Sequence, residues 1–217
     1  MSEFVVHSIP GSPYGRAVFA TLEEKGAPYR LALVDGAKRK DEPHISRHPF
    51  GRVPVLEHNG FWLYETQAIV RYLDRVLPAP ALTPTDPRAA GRMDQVMNIC
   101  DWYLFQGVNN VIGFQRIIRP RLMNEAPEEE IIARAMPQAR TVFSELSRLL
   151  DRRQYFVGDA ISLADIMVAP QLDFLRATPE WKELATPNLS TWLARMTARP
   201  SFRRTTWERI AALAKSA

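Results

Sequence analysis

The sequence predicts a small α/β domain at the N-terminal end and an all-α domain after it. Three observations carry that prediction. Short β-rich runs alternate with helical periodicity over the first seventy-seven residues. A proline-dense stretch, Leu77 to Pro87, then interrupts the chain. Beyond it no hairpin signal recurs, and the apolar spacing is helical throughout.

Phe4 to Ile9 is short and β-rich and reads as the first strand. Pro10-Gly11-Ser12-Pro13 is a turn, and Tyr14 to Lys25 is helical, with Gly26 as its stop. Tyr29 to Val34 is a second strand, so the opening is a βαβ unit with a parallel pair. Asp35 to Asp41 is a polar loop carrying Lys38, Arg39 and Lys40, and Glu42 to Arg47 is a short helix or turn.

Val53-Pro54-Val55-Leu56 reads as a strand, with a proline that requires an edge position or a cis bond. Asn59-Gly60 is the dipeptide that closes a two-residue hairpin, and Phe61-Trp62-Leu63 is the return strand. Glu65-Thr66 stands where a strand ends and a helix begins, and Gln67 to Arg75 is helical. Free backbone N–H groups gather at such a junction and favour an anion. The order β-α-β-α-β-β-α describes an α/β thioredoxin-like domain over residues 1–77. Residues 78–87 form the connector, and residues 88–217 form an all-α domain of about five helices.

In that second domain Arg88 to Arg119 is helical, with Met93, Val96, Met97, Cys100, Tyr103 and Leu104 on its apolar face. Pro120 to Pro127 reads as a break. Glu128 to Arg152 is a long helix with Pro137 inside, where a kink or interruption is expected. Further helices follow at 161–174, 189–198 and 202–214. Ser162-Leu163-Ala164-Asp165 is a capping box, flanked by Ile161 and Ile166 as a hydrophobic staple. Losing Asp165 should cost on the order of 1 kcal/mol or more.

Composition narrows the function. The 217 residues are 46% hydrophobic and 24% charged, ordinary for a globular protein. The net charge of +4 is spread among mixed signs, which argues against a nucleic-acid footprint. A single cysteine, Cys100, excludes a disulfide framework within one chain and reads as a buried thiol. No metal site is expected, since His7, His44, His48 and His58 lack ligand spacing. There is no signal-peptide pattern and no apolar run long enough to span a membrane, so the chain reads as cytoplasmic.

Ser12 before Pro13 has two roles open to it. It can be an ordinary N-cap, or its hydroxyl can donate to a thiolate held at the helix N-terminus. Trp102, Phe105, Phe114 and Trp207 can line an apolar pocket or simply fill a core.

Four motifs in this order make the chain specific. They are S-P-Y-G-R at Ser12 to Arg16, P-F-G-R-V-P at Pro49 to Pro54, Y-E-T-Q-A-I at Tyr64 to Ile69, and F-V-G-D-A-I-S-L-A-D-I at Phe156 to Ile166. Together they resemble the soluble glutathione S-transferase family over nearly the whole length, in its theta/phi-like serine type and with a bacterial look.

The resemblance implies that glutathione is the co-substrate and that no metal is needed. It implies a cis Val53-Pro54 bond, with Val53 pairing to the cysteinyl part of glutathione. Glu65 and Thr66 would hold the γ-glutamyl group. Lys40, with Arg39 and Arg52 assisting, would meet the glycyl carboxylate. Ser12 would be catalytic, with Tyr14 a second candidate beside it. Ser12 lies four residues before Arg16, as in theta-like members; phi-like members have serine where this chain has Gly11. A homodimer is implied, with Phe50 wedged into the partner subunit and Asp101 reaching glutathione across the interface. The acceptor would be a small apolar electrophile, in a detoxifying reaction without nucleic acid or membrane. The alternatives are a non-catalytic binding module of the same fold, or a glutathione-dependent dehalogenase, isomerase or peroxidase.

Overall fold

A computed structural model describes residues 3–77 and 79–216. Met1, Ser2, Ala217 and Pro78, the expected first residue of the connector, lie outside the described residues. The chain divides into two compact units. The first comprises residues 1–83 and 198–217, and the second residues 84–197.

The first unit holds β1 (Phe4–Ser8), α1 (Pro13–Glu24), β2 (Tyr29–Leu33), α2 (His44–Arg47), β3 (Val55–His58), β4 (Phe61–Tyr64) and α3 (Thr66–Val76). This is the expected order. The four strands form one sheet in the order β2-β1-β3-β4. β1 and β2 are parallel, while β3 runs antiparallel to both β1 and β4. β1 is buried along its length. α1 adds Val18, Phe19 and Leu22 to the core, and α3 adds Ile69, Val70 and Leu73.

Two local expectations are sharpened. Asn59 and Gly60 both take positive φ (51° and 83°), the backbone of a type I′ hairpin turn. The proline of the third strand is not on an edge, because β3 is interior. Val53-Pro54 is instead a cis bond placed just ahead of Val55, where Pro54 owes the ladder no N–H.

The second unit is helical: α4 (Pro87–Ile99), a π-type helix (Cys100–Met123), α5 (Glu129–Leu150), α6 (Leu163–Leu175), α7 (Trp181–Leu184) and α8 (Pro187–Ala198). The expected break at Pro120 does not occur. The helix runs on to Met123 and stops at Asn124, whose left-handed backbone (φ 55°) ends it. Tyr103 is also corrected, since it is exposed. The buried face here is Cys100, Leu104, Val108 and Ile112, a four-residue step that suits the wider i→i+5 turn. α5 passes through Pro137 uninterrupted, with an apolar stripe from Ile132 to Leu150. α7 was not expected.

The segment expected as one helix over 202–214 is two, α9 (Pro200–Arg204) and α10 (Trp207–Ser216). It packs with the first unit rather than closing the helical one. Arg199 forms a two-pronged ion pair with Glu24 at 2.8 Å. Ser201 also donates to Glu24, and the Arg16 guanidinium donates to the Phe202 carbonyl at 3.1 Å. These tie the chain's end to α1.

Candidate active site

The turn between β1 and α1 fixes Ser12. Its N–H donates to Ile9 C=O (3.2 Å), and its Oγ accepts the Gly15 N–H at 3.0 Å. Ser12 is therefore the N-cap of α1, with Pro13 at the first helical position. The two roles open to Ser12 are compatible. Capping uses a lone pair on the oxygen, and the hydroxyl proton stays available to a second partner. That partner would sit at the positive end of α1. Gly15 makes the turn possible: a Cβ there would lie 2.2 Å from Ser8 Oγ. A Cβ on Gly11 would touch the Trp207 indole at 3.4 Å, so this aromatic ring lies over the backbone beside Ser12. Tyr14 is half-buried nearby in sequence.

Strand directions bring a second segment to the same end of the sheet. His7 pairs with Val55, so the end of β1 meets the start of β3. Val55 pairs with Tyr64, so the start of β3 meets the end of β4. Ser12, Val53-Pro54 and Glu65-Thr66 thus leave the sheet at one end. Glu65 has φ 69° and ψ 115°, a backbone that non-glycine residues rarely adopt and that costs about 1–3 kcal/mol. It stands immediately before Thr66, the buried first residue of α3. Glu65 is exposed, at the start of that helix.

A basic rim lies along the loop before β3. Gly51, at φ 59°, lets the chain approach the preceding loop closely. A Cβ there would stand 3.0 Å from Lys40 Cγ and 3.1 Å from the Arg39 carbonyl oxygen. The exposed side chains of Lys40 and Arg52 are thereby carried on adjoining backbone. Arg39 is exposed too, but its guanidinium donates to Gly36 C=O at 2.8 Å.

Sequence reasoning missed two histidines beneath this rim, having weighed them only as metal ligands. His44 and His48 flank α2 and are both buried. His44 Nε2 lies 2.7 Å from the Arg52 carbonyl oxygen. Because that oxygen can only accept, Nε2 carries the hydrogen. His48 packs against the Tyr64 ring in a tilted arrangement, centroids 4.8 Å apart. Burial, then the neighbouring His44 and Arg52, pushes the His48 imidazole down to about 4. The only sequence signal was a pair of histidines four residues apart ahead of Pro49.

The remaining candidates are dispersed. Phe50 is 66% exposed and meets His48 and Tyr64 edge-on. Asp101, Trp102, Phe105 and Phe114 all belong to the π-type helix of the second unit. Trp102 is 69% exposed, while Asp101, Phe105 and Phe114 are half-buried. Cys100 is buried, as expected, with its thiol pushed up by burial and 3.5 Å from the Met167 carbonyl oxygen. Asp165 caps α6 as expected, taking the Ser162 N–H at 3.0 Å. It also accepts from Phe156 N–H (3.0 Å) and Trp192 Nε1–H (2.9 Å), which the sequence did not reveal.

The chain is similar to known proteins over most of its length. Residues 6–81 match the glutathione S-transferase N-terminal domain, and residues 112–200 the C-terminal domain. Glutathione S-transferase hmp2 of Hypomyces subiculosus is 33% identical over 197 residues, covering 88% of this chain and 92% of that protein. The probable glutathione S-transferase GSTF2 of Oryza sativa subsp. japonica is 30% identical over 185 residues, covering 84% and 86%. Among solved structures, glutathione S-transferase III in its apo form superposes with a TM-score of 0.83 at 27% identity, covering 97% of each chain. A glutathione S-transferase from Rhodospirillum rubrum F11 gives 0.81 at 26% identity, covering 93% and 91%. These relatives are fungal and plant as well as bacterial, so the bacterial look has no special support. The chain belongs to the glutathione S-transferase family and has its glutathione transferase function.

Proposed function

We propose that this chain is a serine-type transferase in which Ser12 holds the glutathione thiolate for attack on an apolar electrophile. A free thiol ionises near pH 8.5 (about). A hydroxyl donor and a helix N-terminus both favour the anion, so more of it is present at neutral pH. The thiolate sulfur then bonds to the electrophilic carbon of a substrate held beside it. A leaving group departs with the electron pair of its broken bond or, on an activated double bond, the displaced π electrons take up a proton from water. Holding the two reactants together lowers the barrier. No covalent enzyme intermediate is required.

In this reading Val53 pairs through its backbone with the cysteinyl unit. Glu65 and Thr66 take the γ-glutamyl group, the carboxylate meeting its amine and the α3 N-terminus its carboxylate. Lys40 and Arg52 meet the glycyl carboxylate, with Arg39 further out. Trp207 and Tyr14 border the electrophile. The active form is a homodimer, with Phe50 seated in the partner subunit and Asp101 reaching glutathione across it.

The supporting observation is the Glu65 backbone at φ 69°, at the sheet end it shares with Ser12 and the cis Val53-Pro54 bond. Strain of that kind persists where a site requires it. Calorimetry with glutathione tests the binding half, and a conjugation assay over a panel of electrophiles tests the chemistry. Ser12→Ala is expected to lower turnover roughly 10- to 100-fold while leaving glutathione affinity nearly unchanged. Equal turnover in that variant would remove Ser12 from the mechanism.

A further inference from the structure

We infer that His44 is a positioning residue for glutathione, acting through the Arg52–Val53 peptide. The inference rests on the proposed pairing of Val53 with the cysteinyl unit. His44 opens α2 and its imidazole is buried. Nε2–H donates to the Arg52 carbonyl oxygen at 2.7 Å, a short and direct bond. That carbonyl belongs to the same peptide group as the Val53 N–H. In a trans peptide the two point in opposite directions. Holding the carbonyl toward α2 therefore aims the Val53 N–H away from it. A peptide group whose oxygen accepts a hydrogen bond is also polarised into a better donor.

The anchor is itself held. The His44 N–H donates to Asp41 C=O, and the His44 C=O accepts the His48 N–H at 2.9 Å. His48 in turn packs, tilted, against the ring of Tyr64, the residue before Glu65. The buried imidazoles of His44, in α2, and His48, just after it, thus reach both arms of the site: one at the Arg52 carbonyl, the other at the end of β4. The loop from His48 to Val53 has no strand partner of its own. A side-chain bond is what sets the orientation of this peptide plane, and a transferase needs that plane fixed before its ligand arrives.

The test is a set of three substitutions. His44→Phe keeps the ring and loses the donor. His44→Gln places an amide N–H near the position of Nε2, while His44→Asn is too short to reach it. Glutathione binding is measured by calorimetry, and KM for glutathione and for the electrophile are measured separately. His44→Phe and His44→Asn are expected to raise the glutathione Kd and KM about tenfold, with the electrophile KM unchanged. His44→Gln should stay within about threefold of the parent, since it retains the donor. If His44→Phe does not fold, the Gln and Asn variants supply the same contrast. Parent-like binding in the Phe or Asn variant overturns the inference. So does equal weakening in Gln, which would mean packing rather than the bond. Absence of glutathione binding in the parent protein would instead overturn the pairing on which the inference depends.

Discussion

Gly15 and Asp165 show how much one position can decide. Alanine at position 15 would gain up to about 1 kcal/mol of helix propensity. Its Cβ would fall 2.2 Å from Ser8 Oγ, and both residues are buried. Overpacking of that kind costs about 1–3 kcal/mol, so the clash wins. Gly15→Ala should lower the melting temperature by several degrees (about 2–4 °C per kcal/mol at this size) and disturb the cap on Ser12. Calorimetric melting together with an activity assay checks both effects. Asp165 is fully buried and accepts from two backbone N–H groups, the Ser162 hydroxyl and the Trp192 indole. Burial pushes its carboxyl up, against donors that favour the ionised form. Asp165→Ala would strand all of these donors. The loss should exceed the cap value and reach about 3–5 kcal/mol, measured by urea unfolding.

At the scale of elements, α2 carries a pH dependence. His48 is held neutral, down to about 4 against an ordinary value of 6.5, and burial also lowers His7. Between pH 6.5 and 4 the unfolded chain takes up a proton on His48 that the folded chain refuses. Stability is therefore complete above the ordinary histidine range and declines as pH falls through that window. Urea midpoints at pH 7 and pH 5 should show the decline. His48→Asn should make it shallower without abolishing it, because His7 still contributes. The elements themselves were legible where their cause was local. Asn59-Gly60 announced its own turn, Ser12-Pro13 its helix start, and Ser162 to Asp165 its cap. The illegible features depend on distant partners. Glu65 carries no residue-type mark of its positive φ, Gly51 is dictated by the approach of Lys40, and His44 matters through a carbonyl eight residues away. Pro120 misled because a proline reads as a stop, whereas the π-type helix runs through it to Asn124.

At the scale of the whole molecule, the two compact units meet in the sequence after Thr83, inside the proline-dense connector. What lay beyond local pattern was the return of residues 198–217 to the first unit, which rests on Arg199 finding Glu24 across 175 positions. Lys25 anchors the near side of the connector. Its ammonium is buried and donates to Asp74 at 2.6 Å and to the Pro80 carbonyl. Lys25→Met would leave Asp74 buried without its cation and should cost about 3–5 kcal/mol, again read by urea unfolding. The homodimer is a whole-molecule expectation as well. Light scattering should give twice the chain mass of 24.7 kDa, and a monomer would remove the basis for Phe50 and Asp101 acting across an interface.

The returning segment has a consequence for synthesis. A ribosome delivers residues 1–83 first, but the side chains that clasp α1 emerge last, after every residue of the second unit. While the nascent chain grows, the face of α1 that will meet Phe202 and the Gly11 backbone that will meet Trp207 wait uncovered. The helical unit is complete in sequence before the glutathione-binding one. The first unit therefore gains its last contacts only after residues 198–217 have been made.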